Sequence, residues 1–305
     1  MLFRSFARAD LGDGYSAACM LEQAGRNTAP AVAMAAHYIA DTHGKDAMML
    51  VLAADHLIQT QDRFAVAVKH AAELARKNFL VTFGVVPTGP ETGFGYIEAG
   101  KNIGPGRAVL RFVEKPSIEK AQAYLAQGNY FWNSGMFCFK AGVVLNELAQ
   151  HAPDVAKATQ DCWSALKCCK RTSGSMFEIP AERFAAVPSI SLDYAVMERS
   201  DKVAVIPADF GWSDIGSWNM VSELVPQDAN NNRATGEAIF VDTHNTFVQS
   251  EGRLVSAVGV DNLMIIDTAD ALPVAHADKA QDVKEVVMQL KRQNHEAYKI
   301  GRAHV

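Results

Sequence analysis

Short apolar runs alternate with helical patterns along the first half of the chain, and this alternation limits the possible folds more than any other feature of the sequence. The run AMMLVLAADHLI at 47–58 predicts a fully buried strand that delivers Asp55 at its carboxyl end. A helical pattern covers 62–77, and FLVTFGVVP at 79–87 predicts a second buried strand. Because strand, helix and strand follow one another, we expect βαβ units in a parallel-rich sheet with helices on both faces.

The alternation continues until about residue 226 and then changes character. Its further elements are an Ala-rich helix at 31–40 after Pro30, a strand at 108–116, a helix beginning near Ser117, an aromatic strand at 130–140 and mostly helical residues at 141–200. Beyond that point short β-like pieces such as EAIFVD and LMIIDT recur, and an amphipathic helix follows them. We therefore predict one domain at 1–225 and a small β-rich region at 226–305.

Composition excludes several classes of protein. Of 305 residues, 49% are hydrophobic and 21% charged, which excludes a disordered or fibrous chain. The net charge of -5, without any basic run, argues against nucleic-acid binding, and no apolar stretch is long enough to span a membrane. The chain has five cysteines without CxxC spacing, namely Cys19, Cys138, Cys162, Cys168 and Cys169. They indicate neither a disulfide framework nor a zinc site, so we expect a cytoplasmic protein.

Two aspartates follow apolar strands and are candidate metal ligands. Asp55 ends the first buried strand, and Asp214 lies in a turn after the strand KVAVIPA. Their oxygens suit Mg²⁺, and ligands bind at the carboxyl ends of strands in sheets of this type. Each aspartate alone could equally be a helix cap or a turn residue. His56 beside Asp55 is a weak candidate for catalysis, because nucleotidyl transfer requires positioning and charge neutralisation more than proton abstraction.

Polar residues at other strand ends are candidates for substrate binding. Glu114 and Lys115 precede Pro116, and the lysine could meet a phosphate, although a solvated ion pair would explain them as well. Gly95 lies in the loop TGFGY, where the backbone can approach a ligand or simply turn. Asn133 sits among aromatic residues, so its amide needs a partner, either a sugar hydroxyl or the backbone.

The segment GRNT before the first predicted helix is a further candidate. Gly25, Arg26, Asn27 and Thr28 lie where a helix N-terminus attracts anionic and polar groups. Capping of the helix would by itself account for Asn27 or Thr28. The two interpretations remain open for this segment.

Taken together, seven segments resemble the mannose-1-phosphate guanylyltransferase family in order and spacing. They are GRNTAPAVAMAA, VLAADHLI, TFGVVPTGPETGFGYIEAG, FVEKP, GNYFWNSGMFCF, SLDYAVMER and ADFGWSDIGSW. The resemblance covers about residues 18–295. It implies a Rossmann-like nucleotidyltransferase domain of three α/β/α layers followed by a small β-helix-like region. It also implies that GTP and mannose 1-phosphate react to give GDP-mannose and pyrophosphate.

The resemblance also implies roles for individual residues. Gly25 to Thr28 would border guanine and ribose, and Asp55 and Asp214 would bind Mg²⁺. Glu114, Gly95 and Asn133 would contact the hexose, the glycine through its backbone amide. Lys115 would bind the phosphate of mannose 1-phosphate, so Lys115, Asp55 and Asp214 would be the catalytic residues.

The sequence departs from the family at its N-terminus. The family opens with a strand and a loop of the type GGxGTRLWPxSR, then a PKQF segment, and neither is found here. We therefore expect a truncated chain that lacks its first strand and phosphate loop, with exposed apolar surface and weak or absent activity. Residues 2–5 and 299–305 can be spelled by nucleotide sequences that resemble a common sequencing adapter, and we hypothesise that 1–5 and 299–305 are artefacts. Many relatives continue into an isomerase domain.

Two other functions fit the same residues. The chain could serve another nucleotide or sugar phosphate, since guanine and mannose rest on resemblance alone. It could also be a non-catalytic module that binds sugar nucleotides, although Asp55, Lys115 and Asp214 are retained. The sequence leaves a homo-oligomer open.

Overall fold

The computed structural model of the chain describes residues 18–168, 176–269 and 271–295. It divides between Trp212 and Ser213 into two compact units, here called the N-terminal and the C-terminal unit. The predicted domain boundary after residue 225 lies within the C-terminal unit. The segments 1–5 and 299–305, hypothesised to be artefacts, lie outside the described residues, as does Cys169.

The N-terminal unit contains nine strands and six α-helices among its described residues, and a tenth strand spans the point of division. The strands are β1 (Cys19–Leu21), β2 (Met48–Val51), β3 (Leu57–Ile58), β4 (Leu80–Val85), β5 (Tyr96–Ile103), β6 (Gly106–Val113), β7 (Tyr130–Lys140), β8 (Met176–Glu178), β9 (Val203–Ala208) and β10 (Trp212–Ser213). The helices are α1 (Thr28–His43), α2 (Gln61–Arg76), α3 (Ile118–Gln127), α4 (Ala141–His151), α5 (Pro153–Cys168), α6 (Ala181–Ala185) and a π-helix (Asp193–Met197).

Six strands form one sheet in the order β2-β7-β4-β9-β6-β5. The expectation of a parallel-rich sheet is wrong, because only the pairing of β4 with β9 is parallel. β2 and β4 do run in the same direction, as a βαβ unit requires, since both are antiparallel to β7. The long strand β7 lies between them and makes the sheet mixed.

Helices cover both faces of this sheet, which confirms the predicted α/β/α layers. Alternate side chains of a strand point to opposite faces. On β7, Phe137 and Phe139 pack into the core beneath α1, α4 and α5, whereas Met136 and Cys138 pack against α2. No helix among the described residues has both the length and the apolar character needed to cross a membrane.

Strand β2 is less buried than its apolar sequence predicts. Met48, Leu50 and Leu52 expose 36%, 40% and 45% of their surface, whereas Met49 exposes 4%. The prediction of a fully buried strand is therefore wrong. Among the described residues β2 is an edge strand that pairs with β7 alone, whereas every residue of the interior strand β4 is buried.

The C-terminal unit is a small coil of parallel strands, as predicted for a β-helix-like region. Its strands are β11 (Arg233–Thr235), β12 (Ala238–Val241), β13 (Phe247–Ser250), β14 (Val255–Val258), β15 (Leu263–Asp267) and β16 (Val274–His276). β11, β13 and β15 pair in parallel, and so do β12 and β14. Its helices are α7 (Trp218–Glu223), a 3-10 helix (Ala277–Asp282) and α8 (Val283–Arg292).

Asparagines form the turns of this coil. Asn231, Asn245 and Asn262 adopt left-handed backbone angles, with φ of 60°, 49° and 55°. Asparagine tolerates this conformation better than most residues because its short side chain bonds locally. The amide of Asn245 accepts from Asn231 and donates to Asp261, at 3.1 and 2.9 Å, so successive turns are joined by side-chain hydrogen bonds.

A buried carboxylate joins α4 to the start of β9. Glu147 exposes 1% of its surface, and it accepts hydrogen bonds of 2.7 Å from Lys202 Nζ and from Ser200 Oγ. Burial acts to raise the pKa of the Glu147 carboxyl, but the bonds from Lys202 and Ser200 outweigh it and hold the pKa below its ordinary value. The ionised form therefore stabilises the fold.

We predict that Glu147→Gln lowers the free energy of unfolding by about 2 kcal/mol near pH 7, because the buried charge-assisted bonds are lost. Since the folded pKa is depressed, the wild-type advantage is present above the unfolded value of about 4.3 and is lost as the pH falls through the folded value. Urea unfolding followed by tryptophan fluorescence, at about pH 7 and about pH 3, measures both effects.

Asp161→Asn is the matched control for this prediction. Asp161 pairs with Lys157 on the surface of α5, where the two side chains are 55% and 81% exposed. We expect it to change stability by less than about 0.5 kcal/mol. Equal effects of the two substitutions would contradict the stabilising role of Glu147.

Candidate sugar-phosphate site

An aromatic cluster fixes the loop that precedes β5. Phe94 lies 5.0 Å from Trp132 and 5.4 Å from Trp212, measured between ring centroids. Trp212 also meets His56 edge to face, and its Nε1 donates to His56 Nδ1 at 3.2 Å. The cluster therefore joins the loop of Phe94 to the loop that carries Asp55. His56 has a packing role here, which sequence reasoning did not anticipate.

Gly95, Glu114 and Asn133 lie together beside this cluster. A Cβ atom added to Gly95 would collide with Glu114 Oε2 and would lie 3.5 Å from Asn133 Cβ. Asn133 also donates its backbone N–H to Gly95 O at 2.8 Å. Any side chain at position 95 would displace the carboxylate, so the glycine is required for this close approach. Three candidate residues from separate segments of the sequence thus form one group.

Lys115 follows Glu114 directly and has a strained backbone. Its φ of 45° lies in the left-handed region, where residues other than glycine are uncommon. The side chain is exposed, whereas Pro116 after it is buried. Strain of this kind is concentrated at functional sites. The predicted placement of Glu114 and Lys115 at the same edge agrees with this geometry, and the phosphate-binding role of Lys115 remains a prediction.

The Asn133 amide is held by other side chains, a result that the two sequence interpretations did not include. Its Nδ2 donates to Asp193 Oδ1 at 2.8 Å, and its Oδ1 accepts from Thr82 Oγ1 at 3.2 Å. Gly135 N–H donates to the same oxygen at 3.4 Å. Asp193 was missed because SLDYAVMER was interpreted as helix and as part of the family resemblance, with no role assigned to its acid. An acid within an apolar segment needs a partner, and that was the available signal.

Three carboxylates crowd this region. Burial raises the pKa of the Glu114 carboxyl, and the charge of Asp193 raises it further, while Lys115 lowers it. The pKa of Glu198 is raised by burial and then by Glu114 and Asp193. Burial also raises the pKa of Asp193, although the bond from Asn133 lowers it. A ligand that offers hydrogen-bond donors or positive charge would therefore interact favourably with these three carboxylates.

The segment 25–28 is attached to the residues just before Asp193. Thr28 Oγ1 accepts from Leu192 N–H at 2.9 Å, and Ala29 N–H donates to Ile190 O at 3.1 Å. Asn27 Oδ1 accepts from Thr28 N–H at 2.8 Å, so a capping role is present at the start of α1. The predicted contacts of Gly25 and Arg26 with a nucleotide remain predictions.

The two candidate metal ligands have free oxygens. Asp55 is exposed and has no hydrogen-bond or ion-pair partner among the described residues. Asp214 Oδ1 accepts from Gly216 N–H at 3.1 Å in a tight turn. No cluster of three or more His, Cys, Asp or Glu side chains within 18–168, 176–269 and 271–295 could hold a metal. Each carboxylate offers the hard oxygen donors that Mg²⁺ prefers, and their binding of the ion remains a prediction.

Comparison with known proteins identifies the family. Residues 4–231 match the model of the nucleotidyl transferase family. The chain belongs to that family. Residues 236–290 match a mannose-phosphate isomerase/GMP-like β-helix domain, so the predicted fold is confirmed in both parts. The prediction of the mannose-1-phosphate guanylyltransferase family is also confirmed by its relatives.

Two curated relatives show how similar the chain is to this family. A mannose-1-phosphate guanylyltransferase of Escherichia coli K12 is 44% identical over 291 residues, covering 93% of this chain and 60% of the relative. The xanthan biosynthesis protein XanB of Xanthomonas campestris pv. campestris is 45% identical over 274 residues, covering 90% and 57%. The chain thus spans about three fifths of the length of these relatives.

Two solved structures are similar as well. A Thermus thermophilus structure described as a mannose-1-phosphate geranyltransferase superposes with a TM-score of 0.78 at 31% identity, covering 89% of this chain and 77% of its own. A Helicobacter pylori structure described as a mannose-6-phosphate isomerase has a TM-score of 0.61 at 34% identity, covering 67% and 77%. These likenesses support the nucleotidyltransferase fold.

We predict that Glu114→Gln makes the chain more stable near pH 7, by less than about 1 kcal/mol, because it removes a charge that is partly buried and that is repelled by Asp193. The folded pKa of Glu114 is raised. Its contribution is therefore most favourable below the unfolded value of about 4.3 and is lost as the pH rises through the folded value. The gain of the variant should vanish near pH 4, as measured by urea unfolding.

Glu119→Gln is the control for this prediction. A hydrogen bond from Ser117 lowers the pKa of Glu119, which is exposed on α3, so its neutralisation should bring no gain. A Glu114→Gln variant less stable than wild type near neutral pH would contradict the proposed repulsion.

Proposed function

We propose that the chain transfers the guanylyl group of GTP to mannose 1-phosphate, giving GDP-mannose and pyrophosphate. The observation that carries the proposal is the close packing of Gly95, Glu114 and Asn133 beside Lys115. Such a group offers acceptors, a donor and a cation within one small region, as a phosphorylated hexose requires. The proposed identity of the nucleotide and of the sugar rests on relatives named mannose-1-phosphate guanylyltransferase.

Each residue has a role in binding. Glu114 accepts hydrogen bonds from hexose hydroxyls, and Asn133 supplies a second contact to the ring. Gly95 leaves room for the hexose and offers its backbone N–H. Lys115 binds the phosphate of mannose 1-phosphate, for which a compact ammonium is well suited. Gly25 to Thr28 border the guanine and the ribose.

The reaction is an in-line displacement at phosphorus. A phosphate oxygen of mannose 1-phosphate forms a bond to the α-phosphorus of GTP. The bond from that phosphorus to the oxygen that bridges the α- and β-phosphates breaks. The electron pair leaves with pyrophosphate, so no covalent enzyme intermediate is needed. Lys115 orients the attacking phosphate and offsets charge in the transition state. No protein base is required, because the nucleophile is already an anion.

Asp55 and Asp214 are the proposed ligands of Mg²⁺. Both provide the hard oxygen donors that the ion prefers. Asp55 has no side-chain partner among the described residues, and Asp214 accepts one hydrogen bond, from Gly216 N–H. When bound, the ion would supply positive charge that offsets the charge of the phosphates.

Turnover and binding test the proposal together. The chain is incubated with Mg²⁺, mannose 1-phosphate or glucose 1-phosphate, and GTP, ATP, UTP or CTP in turn, and nucleotide sugars are separated by chromatography. GDP-mannose as the preferred product supports the proposal, and a preferred product with another base or hexose contradicts it. If no turnover is detected, calorimetric titrations with GDP-mannose and with UDP-glucose decide. The proposal is contradicted if UDP-glucose binds more tightly than GDP-mannose, or if neither compound binds.

We predict that Gly95→Ala weakens GDP-mannose binding about tenfold or more, equivalent to about 1.4 kcal/mol, while leaving stability nearly unchanged. The new methyl group would lie at ordinary contact distance from Asn133 Cβ and would collide with the end of the flexible Glu114 side chain, so the carboxylate moves aside at small cost. Calorimetry and urea unfolding measure the two effects. Gly93→Ala is the control, because a Cβ there would meet nothing within 4 Å. Equal affinities of both variants would contradict the role of Gly95.

A further inference from the structure

Asp193 begins the π-helix and is fixed from two sides. Leu192 N–H, immediately before it, donates to Thr28 Oγ1 at 2.9 Å, and Ile190 O accepts from Ala29 N–H. Its carboxylate accepts from Asn133 Nδ2 at 2.8 Å. π-Helical turns are rare and often occur at functional sites. Asp193 therefore reaches Asn133 from a segment that is itself anchored to the start of α1.

The other partners of Asn133 do not determine which end of its amide faces outward. Thr82 Oγ1 can donate to the Asn133 oxygen, or it can donate to Met136 O at 3.3 Å and accept from an amide N–H instead. Gly135 N–H favours the oxygen, but only at 3.4 Å. An ionised carboxylate accepts and cannot donate. Asp193 is therefore the partner that requires the NH₂ group of Asn133 on its own side.

This orientation matters because Asn133 and Glu114 both flank Gly95. Glu114 offers acceptors, and the second hydrogen of Asn133 Nδ2 offers a donor. A sugar hydroxyl both donates and accepts, so a hydroxyl between them satisfies both groups. If the amide were reversed, two acceptors would face the same hydroxyl, and one of them would lose its hydrogen bond.

We propose that Asp193 is a positioning residue that sets the hydrogen-bond polarity of the hexose site by holding the Asn133 amide with its N–H toward the ligand. The proposal rests on the proposed function for the identity of the ligand. It goes beyond that function because Asp193 acts through Asn133 and need not touch the sugar.

A double-mutant cycle tests this coupling. The dissociation constant of GDP-mannose is measured by calorimetry for wild type, Asp193→Asn, Asn133→Ala and the double variant. We expect Asp193→Asn to weaken binding about tenfold in wild type and less than about twofold when Asn133 is already replaced. The same loss in both backgrounds would overturn the proposal, because Asp193 would then act directly or through the fold. Asp201→Asn, an exposed acid in the following turn, is the control and should leave affinity unchanged.

Side-chain NMR tests the orientation without any ligand. The Nδ2 protons of Asn133 are observed in the full chain labelled with ¹⁵N-asparagine and are assigned by their loss in Asn133→Ala. We expect one of them to exchange slowly with water near pH 8 and at least about fivefold faster in Asp193→Asn. Unchanged exchange would overturn the proposal. If wild type failed to bind GDP-mannose while the exchange changed as expected, the proposed function would fail and the positioning by Asp193 would stand.

Discussion

Strand β7 changes partners near Asn133, and the candidate site depends on that change. β7 pairs with β5 up to Trp132 and with β2 from Phe137 onward, whereas β4 pairs with it along both stretches. The register against β4 shifts between Thr82 and Gly84. Gly84 is required there, because a Cβ atom would lie 2.5 Å from Val205 and 2.8 Å from Phe131. Asn133 lies between the stretches of β7 that pair with β5 and with β2, and its backbone N–H donates to Gly95 O.

The electrostatics of the site follow from this arrangement. Glu114, Asp193 and Glu198 are held near one another, and the pKa of each is raised by burial. A fold selected only for stability would not retain such repulsion, whereas a binding site can use it. Hydroxyl groups of a ligand would supply the donors that these carboxylates lack. The cost to stability and the capacity to bind thus have the same origin.

Much of the site could be predicted from local sequence. Asp55 and Glu114 were identified at the ends of apolar strands, Gly95 in a glycine-containing loop after a strand, and Asn133 as a polar amide inside an aromatic strand. The structure joins Gly95, Glu114 and Asn133. Asp193 could not be placed, since its contact with Asn133 spans 60 residues of sequence and depends on the partner change of β7. The π-helix is equally invisible to a pattern of helical spacing.

The layers of the fold were predictable, but the direction of strands was not. Apolar runs and helical periodicity gave the α/β/α arrangement, whereas nothing in the sequence of β7 indicated that it would lie antiparallel between β2 and β4. For the same reason the run at Met48 was expected to be buried, although β2 is an edge. In the C-terminal unit, left-handed asparagines at 231, 245 and 262 were a repeat that spacing of strands alone did not reveal.

A crystal structure of the chain with GDP-mannose tests the central claim most directly. We expect hexose hydroxyl oxygens within about 3.2 Å of the Glu114 carboxylate and of Asn133 Nδ2, with the ring against Gly95. A hexose bound elsewhere, with Glu114 and Asn133 making no contact to it, would contradict the account.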